Sequence, residues 1–420
     1  MKAIIVGGGI GGLTTALMLR SRGIGCELFE QSETIRELGV GINTLPHAIR
    51  ELAGLGLLQK LDDVSIRTDV LYYLNCHGQE VWREARGIDA GHDVPQFSIH
   101  RGRLQSVIHG AVEERLGKEA IHTGCRLGAF TQDEGGVTAY FFDRTGSHVK
   151  TVRGDILIGA DGIHSRVRET LFPQEGPPCW NGLMLWRGAR DWPAFLTGRS
   201  MIVAGGLNAK VVVYPIAEGS SAANRLTNWA VLAKIGDGNT PPIFTSTAQD
   251  WSRPGRREEL MPHVARFSVP YVDVPSLIAA TPEFYEYPTC DRDPLPWWSS
   301  GRVTLLGDAA HPMYPVGSNG ASQAILDARC LADALVRSEH PRQALVAYEQ
   351  KRLPMTAEIV RSNRRGGPEG VIDAVEQLAP DGFTDIEKVL SYKEREAIVR
   401  GYAHKAGFAA VPGLAAVRSS

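Results

Sequence analysis

Apolar and polar positions alternate between two periods along this chain. Residues 3–6 (Ala-Ile-Ile-Val) are a short β-branched run of the kind found in a strand buried on both faces. Glycines at 7–12 punctuate it, and Leu13 to Arg22 then read as a helix. Leu13, Ala16 and Leu17 share one side, with Leu19 widening the apolar surface. Cys26 to Glu30 reads as a second strand, so the chain opens with a βαβ unit. Arg101 to Leu116 predicts an amphipathic helix, with Leu104, Val107, Ile108, Ala111, Val112 and Leu116 on one face. Residues 136–142 and 149–159 predict sheet, and 179–235, rich in Trp, Val, Tyr and Gly, predict antiparallel strands. Residues 302–306 predict a further buried strand, and Ala321 to Arg337 a long helix with Ile325, Leu326, Leu331 and Leu335 inward. The tail after Pro354 reads as helical and polar, broken by Gly366, Gly367 and Pro368.

The pattern shifts near 179 and returns near 286. The expected fold class is α/β: a Rossmann-like domain carrying an inserted, mostly antiparallel sheet, with helices at the C-terminus. The division expected is 1–178 for the first part of the nucleotide domain, 179–285 for the insertion, 286–360 for the second part and 361–420 for a helical tail.

Composition narrows the partners. The 420 residues carry 45 Lys+Arg against 47 Asp+Glu, a net charge of −2. No basic excess exists to neutralise phosphates, so nucleic acid is not an expected partner. No apolar run approaches the ~20 residues of a membrane span. The six cysteines stand far apart, with no CxxC pair, which suits a reducing cytoplasm better than a disulfide framework. The twelve histidines show no ligand spacing, so no metal site is expected.

Gly7, Gly9 and Gly12 form GxGxxG between a strand and a helix. Gly7 permits the tight turn, Gly9 lets backbone approach a pyrophosphate, and Gly12 lets helix and strand pack closely. Glu30 ends the next strand, where a carboxylate accepts ribose hydroxyls and repels a 2′-phosphate. These features point to a dinucleotide without separating FAD from NAD.

Two distant motifs, GADGIHSRVR at 159–168 and GDAAHPMYPVGSNGASQAILDA at 307–328, follow in order. With GGGIGG at 7–12 and Glu30, they resemble the group A flavoprotein monooxygenases, the family of p-hydroxybenzoate hydroxylase. The similarity runs to about residue 360. LGVGIN at 38–43, SIHRG at 98–102, MLWRG at 184–188 and DRDPLP at 291–296 are similar to the members that hydroxylate phenazine carboxylates.

The resemblance implies FAD as cofactor, NADH or NADPH as reductant from a surface groove, and O2 as co-substrate. A flavin C4a-hydroperoxide would hydroxylate a small planar aromatic or heteroaromatic acid or phenol, phenazine- or salicylate-like. It assigns Asp308, after Gly307, to the FAD ribityl chain and Asp161 to the pyrophosphate and flavin reduction, with Arg166 or Arg168 orienting Asp161. Arg101 is assigned to the FAD phosphate and ribose, and Gln105 to the neighbourhood of the flavin. Gly11, Gln31, Gly41, Asn43 and Leu127 complete the implied contacts. Pro315, Gly317, Ser318, Asn319, Gly320 and Ala321 open a helix whose positive end would face the flavin N1–C2=O edge. Substrate candidates are Trp186, Tyr214, Trp229 and Tyr314, whose rings suit stacking. The catalytic candidates are His311, Tyr314 and Arg187: Arg187 as a partner for a substrate carboxylate, with a cross-strand ion pair as the competing reading, and His311 as a proton relay. Core packing is the competing reading for each aromatic residue, and a structural role for His311. A monomer or homodimer without membrane attachment is expected. The rival functions are an FAD oxidoreductase that inserts no oxygen and a flavin-binding redox sensor.

Overall fold

The computed structural model describes residues 1–35, 40–238 and 253–409. The start of the LGVGIN motif, Leu38 and Gly39, therefore lies outside the described residues. The chain opens with β1 (Lys2–Val6), α1 (Ile10–Arg20) and β2 (Gly25–Phe29). Then come β3 (Gly41–Thr44), α2 (Pro46–Gly54), α3 (Leu58–Asp62), β4 (Ser65–Thr68), β5 (Val70–Asn75), β6 (Glu80–Ala85) and β7 (Gln96–His100). The helix α4 (Arg101–Leu116) precedes β8 (Ile121–His122), β9 (Arg126–Asp133), β10 (Gly136–Phe142), β11 (His148–Gly154), β12 (Ile156–Gly159) and α5 (Arg166–Leu171). Next are β13 (Cys179–Pro193), β14 (Met201–Gly205), β15 (Ala209–Glu218), β16 (Asn224–Lys234), α6 (Arg257–Val264), α7 (Val274–Ala279), β17 (Phe284–Asp291) and β18 (Val303–Leu305). The chain closes with α8 (Gly320–Arg337), α9 (Pro341–Arg364), α10 (Gly370–Leu378), α11 (Ile386–Val389) and α12 (Tyr392–Ala406).

A parallel sheet in the order β18-β12-β1-β2-β8 forms the nucleotide half. Its strands are apolar on both faces because α1 and α8 cover one side and the β9–β11 sheet lies across the other, joining a core of Ile4, Ile5, Phe29, Phe141, Leu157, Leu305 and Ile325. The register brings the motifs together. Val6 pairs with both Phe29 and Gly159, and Gly159 with Leu305, so all four strands end at one edge. Gly7, Glu30, Ala160 and Leu306 leave the sheet side by side, the place where parallel sheets bind ligands.

The strand expected over 149–159 is two. Asp155 separates β11 from β12; its backbone N–H and its carboxylate engage the carbonyl and N–H of Lys2, and the chain changes sheets there. The first helix starts at Ile10, three residues before the apolar periodicity shows it.

The second half is a seven-stranded sheet in the order β17-β13-β16-β15-β14-β5-β6. It takes in β5 and β6 from residues 70–85 as well as the strands expected from 179 onward; β14 and β5 pair in parallel, Met201 opposite Leu71. Alternation splits its residues between two faces. One face, with Met184, Trp186, Ile202, Val211, Val213, Trp229 and Phe284, packs under α6 and α7. The other, with Leu71, Tyr73, Met201, Val203 and Tyr214, meets Val371, Ile372, Val375 and Val399 of α10 and α12. The tail is thus not simply polar. Its apolar stripe covers half of a sheet, and α9 passes through Pro354 as one helix.

Candidate functional site

The first glycine turn is fixed by steric contacts. Gly7 has φ 106°, and a Cβ there would lie 2.3 Å from the Ala160 carbonyl oxygen. A Cβ at Gly12 would lie 1.9 Å from the Gly7 oxygen, whereas at Gly9 it would meet nothing within 4 Å. Gly9 caps α1 with no side-chain hydrogen bond and no acidic residue follows in the first turn, so the helix end stays open to an anion. Gly11 packs closely on Leu306, binding α1 to the third motif. Glu30 accepts from the Gly8 and Ser32 N–H groups at 2.7 and 2.8 Å. Gln31 is exposed beyond the strand, and Leu127 is buried in the core of the nucleotide half. Gln105 donates to the Gly8 carbonyl at 2.9 Å. Its amide thereby braces the glycine turn.

Asp161 follows β12. It accepts from Ser165 Oγ at 2.5 Å and from the Arg166 backbone N–H at 2.7 Å. Burial raises its carboxyl, and the Ser165 hydrogen bond opposes that. Neither arginine side chain orients Asp161, contrary to expectation. Arg166 binds Glu169 and the Gly128 carbonyl. Arg168 is buried, pairs with Glu175, and donates to the carbonyls of Ala309 and Ala310 at 3.1 and 2.9 Å. It therefore clamps the second motif to the third.

In the third motif, Gly307 has φ 60° and donates its N–H to Asp327 at 3.1 Å. Asp327, wholly buried on α8, also meets His311 Nε2 at 2.5 Å and Arg352 Nε at 2.6 Å. Burial alone would raise this carboxyl, but His311 and Arg352 hold it at about 2. His311 thus sits beside Trp298 in a buried hydrogen-bond network, with 3% exposure, and its Nδ1 makes no hydrogen bond among the described residues.

Asp308, beside this network, opens to solvent, and its carboxylate makes no hydrogen bond among the described residues. The surrounding protein raises it; His311 and Arg101 oppose this, and Asp327 adds to it. The Arg101 guanidinium likewise has no hydrogen-bond partner among the described residues; burial and Arg187 lower it, while Asp308 supports it. Pro315 is exposed, and Gly317 and Ser318 adopt left-handed φ of 68° and 56°. Asn319 is buried and bonded to Tyr402 at 2.9 Å. Gly320 and Ala321 begin α8, whose first turn has neither a side-chain cap nor an acidic residue.

The facing wall is the second face of the large sheet. Arg187 donates to the Tyr287 hydroxyl at 2.9 Å and to the Gly41 carbonyl at 2.5 Å, while its buried Nε makes no hydrogen bond. Gly41 donates to Asn228 Oδ1 at 2.7 Å, and Asn43 accepts from Ser98 at 2.6 Å. Burial pushes the Tyr214 hydroxyl up to about 12, against the pull of Arg187. Trp186 and Trp229 do not belong to this wall. They occupy the opposite face, with indole N–H groups donated to Glu286 and Thr281 at 3.0 and 2.9 Å. Tyr314 is buried with its hydroxyl 3.4 Å from the Cys179 carbonyl, at the far end of β13 from Arg187. Sequence reasoning missed Tyr287, Asn228, Asp327 and Arg352. Asp327 left a signal, an acid on an otherwise apolar helix face.

The arrangement fits FAD. Open N–H groups at α1 suit a pyrophosphate, and the Glu30 carboxylate suits a ribose. The unpartnered Asp308 and Arg101 suit polar groups of the linking chain, and the open end of α8 suits an electron-rich ring edge. The profile of a family described as FAD binding domain matches residues 1–203 and 285–363. The chain belongs to this FAD-binding family.

Among its relatives, a phenazine 1,6-dicarboxylic acid hydroxylase of Lysobacter antibioticus is 41% identical over 367 residues, covering 86% of this chain and 88% of that one. A 3-hydroxybenzoate 6-hydroxylase of Polaromonas naphthalenivorans is 31% identical, covering 90% of each. The fold is shared with Klebsiella pneumoniae HpxO complexed with FAD and uric acid, at TM-score 0.73 and 22% identity over 97% of each chain. This family member is an FAD-dependent hydroxylase of aromatic compounds, with NAD(P)H as the reductant. No described helix is long and apolar enough to cross a membrane.

Proposed function

We propose that the substrate is a planar aromatic or heteroaromatic carboxylic acid, phenazine- or benzoate-like, hydroxylated on the ring with NADH or NADPH and O2. Arg187 carries this reading. It is a cation on the cleft wall that donates to a hydroxyl and a carbonyl, while its Nε–H makes no hydrogen bond. Such a group is satisfied by a guest carboxylate. The named substrates of the relatives, a phenazine dicarboxylate and a hydroxybenzoate, support the same class.

Bound FAD supplies the electron-transfer and oxygen chemistry. The protein's part is placement and protection. The glycine turn and Glu30 would hold the adenosine half and Arg101 and Asp308 the linking chain, and the N-terminus of α8 would favour negative charge on the ring. The large sheet and the tail helices exclude water from the reacting face. Asp161, held by Ser165 and the start of α5, lies at the edge of the sheet where the cofactor would emerge toward a reductant. A discontinuous nucleotide part, an inserted sheet and a helical tail are the proposed organisation. A monomer or homodimer in the cytoplasm is proposed with it, supported by six free cysteines.

The test is a screen of aromatic acids for accelerated NAD(P)H oxidation, followed by product analysis under ¹⁸O2. Label in the product is the expected result. Acceleration without label would favour a flavin oxidoreductase that inserts no oxygen, and no acceleration by any aromatic acid would overturn the proposal.

A further inference from the structure

A cavity of about 20 Å³ lies between the Gly317–Ser318 turn and the wall formed by Leu71, Tyr73, Met201 and Val203. That volume holds about one water molecule. It is nevertheless lined by polar atoms that lack partners. Arg86 and Gln96 are 8% and 2% exposed, and both Arg86 Nε and Gln96 Oε1 are buried without a hydrogen bond. Glu369, 8% exposed, also lines the cavity; its carboxylate accepts one long hydrogen bond, from the Gly317 N–H at 3.5 Å. Buried polar atoms are normally satisfied, so a cluster of exceptions implies a partner that brings its own donors and acceptors.

An aromatic ring already borders this space. Phe408, which follows α12, lies 5.8 Å beneath the Arg86 guanidinium and 5.9 Å from the His47 ring, and it lines the cavity. Its side chain satisfies none of the polar atoms around it. A planar guest in its place would keep the stacking and add hydrogen bonds. The site is also next to the turn that precedes α8, where the flavin edge is expected.

We propose that this cavity is the seat of the substrate's ring, that Phe408 fills the seat when no substrate is bound, and that Glu369 accepts the proton of a substrate hydroxyl or ring N–H. The inference rests on the hydroxylase reading above and adds the contact residues. In the step, the substrate O–H or N–H bond breaks, an O–H bond forms on the Glu369 carboxylate, and the electron pair stays on the substrate. The ring becomes more electron-rich before oxygen transfer, and the proton later leaves to solvent. Burial lifts Glu369 to about 7, with Lys210 opposing and Asp373 adding to the shift. Tyr73 of β5, Glu84 of β6 with its ion-pair partner Arg86, Lys210 of β15, Asp373 of α10 and Tyr402 of α12 are titratable or charged groups around it. A base poised there changes state within the working pH range.

Two experiments on the FAD-loaded enzyme test this. In the first, 3-hydroxybenzoate is titrated and followed by the flavin absorbance band. Phe408→Ala is expected to bind it at least tenfold more tightly than wild type, since no side chain must be displaced. Binding within twofold of wild type, or no binding to either, overturns the seat.

In the second, NAD(P)H oxidation is measured across pH with the aromatic acid that stimulates it most. Wild type is expected to show a limb rising with pH through about 7. Glu369→Gln should lose that limb and at least 100-fold in kcat, with KM changed far less, and Glu369→Asp should restore the limb in part. An unchanged pH profile in Glu369→Gln, with normal FAD content, overturns the base. If no acid stimulates wild type, the hydroxylase reading fails and this inference falls with it. If an acid stimulates wild type and the variants behave alike, this inference alone fails.

Discussion

Asp308→Ala separates cofactor grip from folding. The carboxylate makes no hydrogen bond among the described residues, opens into the cleft, and is raised by its enclosure and by Asp327. The protein therefore gains little from it in the absence of a ligand, and the apoprotein variant should stay within about 1 kcal/mol of wild type in stability. In the proposed site it accepts from a ribityl hydroxyl. A hydrogen bond to a charged group contributes roughly 1.5–3 kcal/mol, so the FAD dissociation constant should rise about 10- to 150-fold. Flavin fluorescence titration of apoprotein measures the second quantity and urea unfolding of apoprotein the first. An unchanged FAD affinity would show that Asp308 does not touch the cofactor. A matching loss of apoprotein stability would show that the residue is structural.

The neighbouring carboxylate should behave in the opposite way. Asp327→Asn leaves Arg352 buried without its counter-ion, a loss of roughly 3–5 kcal/mol, or about 3–6 °C in melting temperature for a chain of this length. Thermal unfolding checks it; a change under 1 °C would contradict the network. Because the folded pKa is held at about 2 against an ordinary 3.8, the Asp327 contribution is present above pH 3.8 and is lost as the pH falls toward 2. Glu369 has the reverse sign. Its proton is kept to about 7 when folded but released near 4.5 when unfolded, so stability falls as pH rises between those values. Glu369→Gln should flatten that slope in urea titrations at pH 4.5–7. Gly12→Ala places a methyl 1.9 Å from the Gly7 oxygen, so the turn must open, and the purified variant should lack the yellow flavin absorbance of wild type.

The nucleotide half was legible because its signals are local. A strand, a glycine turn and a helix follow within thirty residues at Lys2–Phe29, and the GADG and GD motifs each end a short apolar run. The contacts of the wall were harder to read because they depend on which face a strand residue takes. Trp186 and Arg187 are adjacent, yet one packs under α6 and the other points to the cleft. Composition favoured the tryptophan, and alternation alone could not say which face was inward. Tyr73 of β5 and Arg86, just after β6, come from far earlier in the chain, and the pairing of β5 with β14 is long-range. The bond from Gln105 to the Gly8 carbonyl was not readable either, because helix periodicity gives the side a residue faces but not the partner across the gap. Glu369 sits in a Gly-Gly-Pro-Glu segment that looks like a solvent-exposed break, and its burial depends on α10 and α12 closing over it.

The packing of α10 and α12 on the large sheet has a practical outcome for redesign. The chamber's rear panel is made from the last part of the polypeptide, whereas the coenzyme berth is built from the parallel sheet and its loops. A library confined to Val371, Ile372, Val375 and Val399 could therefore reshape which guest the proposed site admits while sparing Tyr402, which holds Asn319 at the head of α8.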